Sequence, residues 1–154
     1  MTKVLIKKLY PKVILPSYKT NGASGMDLMA FINSPIVIKP KTSSLIPTGI
    51  SLAFSEDYEI QIRPRSGLAA KNNVSVLNTP GTIDSDYRGE IKVIIYNHGN
   101  KDFIINNKDR IAQMVLTPII KMKLEETENL PETIRGEGGF GSTGKWAYSL
   151  IKKN

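Results

Sequence analysis

Two residue types that supply much of enzyme chemistry are scarce in this chain of 154 residues: cysteine is absent and His98 is the single histidine. Without cysteine the chain has no disulfide bond, thiolate zinc site, iron–sulfur cluster or cysteine nucleophile, which fits a reducing compartment. One histidine excludes a metal centre built from several imidazoles and leaves a serine nucleophile one possible partner. We interpret His98 as a solvated turn residue rather than a catalytic base.

Long apolar runs are also absent. The first nine residues, MTKVLIKKL, contain an apolar run of three residues flanked by charges. Such a run is far shorter than the apolar stretch of a signal peptide or a membrane span. We therefore expect neither export nor membrane insertion, and we predict a cytoplasmic protein.

Acidic residues are outnumbered, because 21 lysines and arginines oppose 14 aspartates and glutamates for a formal charge of +7. This charge raises the expectation of a polyanion partner, such as nucleic acid, a phosphate-rich ligand or an anionic membrane surface. The lysines, however, are scattered in pairs, with no basic helix and no interleaving with aromatic residues. Their distribution argues against dedicated nucleic-acid binding.

The residues that are present predict one all-β domain. With 40% hydrophobic residues the chain can bury a core. Its apolar residues form short alternating or continuous runs with proline near the run ends, as in a sandwich, jelly roll or barrel. The predicted strands cover residues 4–9, 26–31, 36–38, 58–63, 74–77, 90–97, 103–105 and 111–120.

One short helix and a tail complete the prediction. Ser66 starts the segment SGLAAKN, whose good helix formers predict one or two turns, with the Ser66 hydroxyl as N-cap and asparagines at the end. From Glu125 to Glu137 the pattern becomes polar, and five glycines fall within residues 134–144. We predict a mobile tail that becomes ordered only against a ligand or another surface.

The predicted helix start is the first candidate for chemistry. Free backbone N–H groups and the helix dipole favour an anion at Arg65, Ser66 and Gly67. The segment is therefore predicted to bind a phosphate group. The alternative is that Ser66 is only a helix cap and Arg65 an exposed charge. The local sequence leaves both open.

The connection over residues 78–90 is the second candidate. Asp84 and Asp86 are two residues apart, so in an extended chain both carboxylates face one side. A carboxylate beside a phosphate-bound metal can orient and deprotonate a water. The alternative is a hairpin in which the acids and glycines serve turn roles.

The glycine-rich tail is the third candidate. Its glycines allow a close wrap around a ligand, and Arg135, Ser142 and Thr143 can donate to phosphate oxygens. Phe140 is the only ring inside the segment, and stacking on a planar ligand explains it. The segment lacks the spacing and the following helix of a P-loop. The alternative is a disordered tail.

Taken in order, these segments resemble the trimeric deoxyuridine triphosphatases, the dUTP nucleotidohydrolases, over nearly the whole chain. Five motifs of that family are recognisable in residues 23–30 (ASGMDLMA), 64–69 (PRSGLA), 78–90, 108–114 (KDRIAQM) and 135–144. One motif alone would be weak evidence, but all five in order are highly specific. Residues 145–154, which include Trp146 and Tyr148, are not explained by the shared motifs.

The resemblance implies an antiparallel, jelly-roll-like barrel over residues 1–130 and a flexible tail over residues 131–154 that closes over an active site. It also implies a homotrimer whose three sites each draw motifs from more than one chain. The implied reaction is hydrolysis of dUTP to dUMP and pyrophosphate with Mg²⁺ bridging the phosphates. Such an activity keeps uracil out of DNA and supplies dUMP for thymidylate synthesis.

The resemblance also implies residue roles. Asp84 would hold the attacking water, and Asp27 would face the water shell of the metal. Tyr87 would pack beneath the deoxyribose and exclude a 2′-hydroxyl. The remaining implied contacts are Arg65, Ser66 and Gly67 with the β- and γ-phosphates, Gln113 with the α-phosphate or a metal-bound water, Asn78, Thr82, Ile83 and Lys92 with uracil, Phe140 over the base, and Arg135, Gly141, Ser142 and Thr143 around the γ-phosphate.

Two other functions remain as alternatives. A dCTP deaminase would share the fold and a similar phosphate site, but it lacks the phenylalanine-bearing glycine tail. A regulatory nucleotide sensor would use ordering of the tail to control a protein partner, and the presence of Asp84 argues against this as the sole function.

Overall fold

The computed structural model describes residues 2–140 and confirms an all-β chain with one short helix. Every strand pairing is antiparallel. The elements, in chain order, are β1 (Leu5–Lys8), β2 (Met26–Met29), β3 (Ile36–Ile38), β4 (Ser43–Pro47), β5 (Ile50–Ala53), β6 (Tyr58–Arg63), α1 (Ser66–Asn72), β7 (Val74–Val76), β8 (Gly81–Ile83), β9 (Lys92–Asn97), β10 (Phe103–Ile105) and β11 (Arg110–Pro118).

The strands form four sheets. The largest has the order β2-β11-β6-β8, a second has the order β4-β9-β7, and two strand pairs, β1-β5 and β10-β3, complete the set. Strand β11 spans nine residues and pairs with β2 on one side and β6 on the other. It therefore joins parts of the chain that are far apart in sequence.

The core consists mostly of aliphatic side chains from these strands, with Val13, Ala30 and Ile91 added from the connections. In β6 the side chains of Ile60 and Ile62 are buried while those between them are half-buried, as predicted for a strand with one face toward the core. In β9 the buried positions are Val93, Ile95 and Asn97. The Asn97 amide nitrogen donates to the carbonyl oxygens of Ile38 (2.9 Å) and Lys101 (2.8 Å). This buried polar group therefore has hydrogen-bond partners.

The connection between β4 and β5 is a tight turn at Gly49. This residue has a φ of +71°, and a Cβ there would lie 2.5 Å from Cγ2 of Val13. Its N–H donates to Oε1 of Glu90 at 2.9 Å. Both the backbone conformation and the close packing require glycine at this position.

The periodicity of the sequence predicted most strands correctly. The predicted bounds of β3, β6 and β10 are confirmed to the residue, and five further strands were predicted with ends that differ by at most two residues. Strands β4, β5 and β8 were missed. In β4 the pattern SSLIP alternates poorly, and β8 is a three-residue strand inside a segment rich in turn residues.

The prediction that Ser66 caps the helix is wrong. The N-cap is Arg65, in extended conformation, and no side chain caps the helix. Because Ser66 is already the first helical residue, its hydroxyl is not in the position of an N-cap oxygen. The predicted ending is confirmed, since Asn73 closes the helix in the left-handed conformation with a φ of 54°.

The chain divides into two units, Met1–Ile120 and Lys121–Asn154. All the strands and the helix found in residues 2–140 belong to the first unit. Within the second, residues 121–140 form no strand or helix but contain a local turn, in which the N–H of Gly136 donates to the carbonyl of Thr133 at 3.1 Å. No helix in the described residues has the length and apolarity needed to cross a membrane.

Candidate nucleotide site

A carboxylate held between two arginines marks the first part of the site. Nε of Arg65 donates to Oδ1 of Asp27 at 2.8 Å, and a terminal nitrogen of Arg110 donates to Oδ2 at 3.1 Å. Arg65 also donates to the backbone carbonyl of Arg110 at 3.1 Å. The three side chains carry a formal charge of +1, which suits an anionic ligand.

The sheet explains how these residues meet. Gln113 of β11 is in register with Asp27 of β2 on one side and Arg63 of β6 on the other. Arg63 ends β6, and the chain passes through Pro64 to Arg65. The residues before α1 therefore lie beside the row that contains Asp27, which is why three separate motifs contribute to one cluster.

Gln113 is fixed on the same row. Its Nε2 donates to the carbonyl of Pro64 at 3.0 Å. On its other side lies Gly25, where an added Cβ would be 2.8 Å from Oε1 of Gln113. Gly25 leaves space for the Gln113 amide, so the position of this amide depends on both Gly25 and Pro64.

The start of α1 is open beside this cluster. Ser66 and Gly67 are exposed, and a Cβ added at Gly67 would meet nothing within 4 Å. The N–H groups of Leu68 and Ala69 donate to the carbonyl of Arg65, both at 3.0 Å. Arg65 is thus held through its backbone as well as its side chain.

The second part of the site is the segment from Asn78 to Lys92. Strand β8 pairs with β6 and is the edge of its sheet. Its outer N–H and C=O groups pair with no other strand in the described part of the chain, so they can meet the edge of a planar base. The amide of Asn78 lies over Gly81, 3.1 Å from where a Cβ would be.

A turn follows β8 and positions Asp84 and Tyr87. The N–H of Tyr87 donates to the carbonyl of Asp84 at 3.2 Å. The guanidinium of Arg88 donates to the carbonyls of Ser85 (2.6 Å) and Tyr87 (3.1 Å). The carboxylate of Asp84 is exposed.

The end of this segment is anchored to the domain through Glu90. Its carboxylate accepts from the N–H of Gly49 at 2.9 Å and lies 3.8 Å from Nζ of Lys92. The hydroxyl of Tyr87 donates to the carbonyl of Glu90 at 3.1 Å. The loop that carries Asp84 is therefore tied to the turn between β4 and β5.

Within one chain, the two parts of the site are not in direct side-chain contact among the described residues. In the described residues no hydrogen bond or ion pair connects the side chains around Asp27 with those of residues 78–92. Along β6, Arg63 is opposite Gln113 and Ile60 is opposite Ile83. These rows are about 10 Å apart at the usual rise of a strand, and the chain leaves Ile83 away from the Arg63 end.

Two of the candidate residues predicted in the tail, Arg135 and Phe140, lie among the described residues. Nε of Arg135 donates to the carbonyl of Gly138 at 2.7 Å within its own local turn. Phe140 is exposed and has a φ of 48°. The other candidates in this segment, Gly141, Ser142 and Thr143, lie outside the described residues.

The contacts of Arg110 and Glu90 were not predicted from the sequence. Arg110 lies within the motif of residues 108–114. The local signal for it was a charged residue at the start of a long, mostly apolar strand. Glu90 was considered only as the end of a hairpin. His98 is exposed after β9, with Nε2 2.7 Å from Oγ of Ser75, in keeping with the predicted turn.

A metal centre made by the protein alone does not occur in residues 2–140, where no three histidine, cysteine, aspartate or glutamate side chains lie together. The carboxylate between Arg65 and Arg110 is Asp27, and each of its oxygens already accepts a hydrogen bond from one of these arginines. This donor set fits Mg²⁺ held chiefly by phosphate oxygens and water, because the remaining lone pairs of Asp27 can accept from metal-bound waters.

Comparison with known proteins identifies one family. The dUTPase family model matches residues 11–144. A deoxyuridine 5′-triphosphate nucleotidohydrolase of Syntrophotalea carbinolica is 51% identical over 141 residues, which cover 92% of this chain and 96% of that protein. The enzyme of the same name from Rickettsia bellii is 55% identical over 147 residues, covering 94% and 97%.

Solved structures show the same fold. The dUTPase of Staphylococcus bacteriophage 80alpha with dUpNHpp superposes with a TM-score of 0.84 at 23% identity, covering 94% of this chain and 100% of that one. A mutant dUTPase from phage phi11 of S. aureus, described with a structural Mg(II) ion, has a TM-score of 0.76 at 20% identity and covers 84% and 99%. These similarities confirm the jelly-roll-like fold class.

Proposed function

This chain belongs to the dUTPase family, and on that basis we propose that it hydrolyses dUTP to dUMP and pyrophosphate. The observation that carries the proposal is the cationic cluster of Asp27, Arg65 and Arg110, which the sheet assembles beside Gln113. A triphosphate needs such a cluster. Separate base recognition is supplied by the edge strand β8.

The phosphate contacts follow from the cluster. Arg65 uses two of its five N–H donors within the protein and retains three for the β- and γ-phosphates. Ser66 and Gly67 would add the exposed hydroxyl and the close backbone approach. Gln113 would reach the α-phosphate. The second guanidinium, from Arg110, adds charge beside them.

Asp84 would orient and deprotonate the attacking water. The water oxygen forms a bond to the α-phosphorus while the bond from that phosphorus to the pyrophosphate oxygen breaks, and the proton goes to the Asp84 carboxylate. The exposure of Asp84 and the turn that fixes its backbone support this role. No cysteine or histidine is needed.

Selection for dUTP would come from the same segment. The amide of Asn78, the backbone of Thr82 and Ile83, and the backbone near Lys92 would form hydrogen bonds to uracil. Cytosine would present the wrong donors, and the methyl group of thymine would not fit. Tyr87 would lie under the deoxyribose and exclude a 2′-hydroxyl.

We propose Mg²⁺ as the cofactor, with Asp27 as the residue that faces its water shell. When bound, the ion would neutralise phosphate charge and favour departure of pyrophosphate. Arg65 and Arg110 orient Asp27 for this contact, because each holds one of its carboxylate oxygens.

A homotrimer with shared sites is also proposed. The separation of the Asp27 cluster from the Asp84 turn in one chain supports a site completed by a second chain. The tail over residues 131–154 would close it, with Phe140 covering uracil and Arg135, Gly141, Ser142 and Thr143 around the γ-phosphate. Closure would exclude water from the reacting phosphate.

The cellular role proposed is removal of dUTP in the cytoplasm, which limits uracil in DNA and supplies dUMP. Neither dCTP deamination nor a purely regulatory role is favoured, because the family model and the curated relatives agree on dUTPase. Dedicated nucleic-acid binding also has no support in the described site.

The test is pyrophosphate release by the purified protein with Mg²⁺, measured in parallel on dUTP, dCTP, dTTP and UTP. We expect turnover of dUTP alone at substrate concentrations near its KM. Ammonia release from dCTP would instead identify a deaminase. A folded sample that hydrolyses none of the four nucleotides would refute the proposed function.

A further inference from the structure

The ring of Tyr87 lies directly over Gly89. A Cβ built on Gly89 would be 2.3 Å from Oη of Tyr87, 2.5 Å from Cζ and 2.9 Å from Cε2. Atoms that are not bonded do not approach so closely, so any side chain at position 89 would displace the ring.

The backbone gives no other reason for glycine here. In the described residues the glycines with positive φ are Gly49 and Gly136, and Gly89 is not among them. An alanine at position 89 would therefore meet no strain from a left-handed backbone. Its cost would come from the contact with the Tyr87 ring.

The ring is held from the other directions as well. The Tyr87 hydroxyl donates to the carbonyl of Glu90 at 3.1 Å, and the Tyr87 N–H donates to the carbonyl of Asp84 at 3.2 Å. Glu90 is itself anchored by the N–H of Gly49. The ring remains partly exposed, with Tyr87 at 45%, so it can meet a ligand while its hydroxyl end is fixed.

We infer that Gly89 is a specificity-determining residue. Because it has no side chain, the Tyr87 ring can pack against its Cα. In that position the ring leaves space for a deoxyribose but not for a ribose with its 2′-hydroxyl. This inference rests on the proposed function. Gly89 acts through Tyr87 and needs no contact with the nucleotide, so it is a positioning residue.

The first experiment compares Gly89→Ala with the wild type on dUTP and UTP. We expect the ratio of kcat/KM for dUTP over UTP to fall by about tenfold or more, since displacement of a ring in a discriminating pocket has effects of this size. Gly22→Ala is the matched control, because a Cβ at Gly22 would meet nothing within 4 Å. It should retain the wild-type ratio.

A double variant separates the ring from general damage to the loop. Tyr87→Ala alone should lower the ratio, and adding Gly89→Ala to it should change the ratio no further, because the methyl group then has no ring to displace. A crystal structure of Gly89→Ala should show the Tyr87 hydroxyl away from the Glu90 carbonyl.

Three results would overturn the inference: an unchanged ratio in Gly89→Ala, an equal loss of activity on both nucleotides, or a further fall in the double variant. If Gly89→Ala is not folded, the double variant with Tyr87→Ala replaces it, because the new methyl group then has no ring to displace. The double variant should fold as Tyr87→Ala alone does, and a double variant that remains unfolded would overturn the inference. Selective hydrolysis of dUTP by the wild type tests the proposed function separately.

Discussion

At the scale of single residues, the main electrostatic feature is a carboxylate shared by two arginines. Asp27 has a side-chain exposure of 17%, and a guanidinium approaches each of its oxygens. A partly buried carboxylate would be costly without such partners. The pair of arginines satisfies Asp27 and leaves excess positive charge toward the solvent, where a polyphosphate can bind.

Replacing Arg110 should weaken substrate binding more than chemistry. We expect Arg110→Gln to raise the KM for dUTP by about tenfold, the cost of a charge-assisted hydrogen bond, with a smaller effect on kcat. Arg110→Lys should recover only part of the loss, because lysine lacks the planar fork. Lys71→Gln removes one charge from the last turn of α1 and serves as the control. An unchanged KM in Arg110→Gln would contradict this prediction.

Replacing Asp84 should lower kcat for dUTP more than it changes nucleotide binding. Asp84→Asn keeps the size of the side chain but removes the base, so turnover should fall by about 10² or more while nucleotide binding remains measurable. Steady-state kinetics together with binding of a non-hydrolysable dUTP analogue would check this. Near-normal turnover would exclude Asp84 as the base.

At the scale of elements, strand β11 is the part of the fold that brings Asp27, Arg65 and Arg110 together. It lies between β2 and β6, so it brings Asp27 and the segment after β6 to opposite sides of Gln113. The β4–β5 turn has a similar role for the second part of the site, since Gly49 anchors Glu90. Both effects depend on sheet pairing rather than on local sequence.

The β4–β5 turn offers a stability test. Gly49→Ala should lower the free energy of unfolding by about 2 kcal/mol or more, because the residue has a positive φ and the new Cβ would overlap Val13. Chemical denaturation of the variant beside Gly22→Ala, which should change stability by less than about 0.5 kcal/mol, gives the measurement. Equal midpoints for the two variants would show that the turn relaxes without cost.

At the scale of the whole molecule, the described chain carries two incomplete halves of the proposed site. The Asp27 cluster lies beside the Arg63 end of β6, whereas the Asp84 turn follows Ile83, which pairs with Ile60. If each working site combines halves from different chains, two inactive variants can complement each other. This property separates a shared site from one contained in a single chain.

Mixed assemblies test it directly. Asp84→Asn and Arg65→Gln should each be nearly inactive alone, while co-expression or joint refolding should restore a clear fraction of wild-type turnover. Mixing each variant with itself under the same conditions is the control. No recovery, in assemblies shown by native mass spectrometry to contain both chains, would place the whole site in one chain.

Removal of the tail is the second test at this scale. A chain ending at Ile134 loses Arg135 and Phe140, so most activity on dUTP should disappear while the proposed trimer remains intact. Analytical ultracentrifugation and pyrophosphate release measure the two outcomes. Dissociation to monomers would instead assign the tail a structural role.

Some features of this protein follow from its sequence alone, because they depend on neighbouring residues. Alternating isoleucines predicted β6, asparagine predicted the end of α1, and the absence of cysteine excluded disulfide bonds, thiolate metal sites and a cysteine nucleophile. The order of the motifs pointed to the family. Each of these signals lies within a short segment or is a property of composition.

Other features were decided only by tertiary structure. Asp27 and Arg110 are 83 residues apart, and their contact exists because β2 and β11 pair in one register. The anchor from Gly49 to Glu90 spans 41 residues. Strand pairing brings distant groups within hydrogen-bond distance, and no local pattern encodes which strands become neighbours. The sequence therefore predicted the chemical groups of the site, whereas the sheets decided which of them meet.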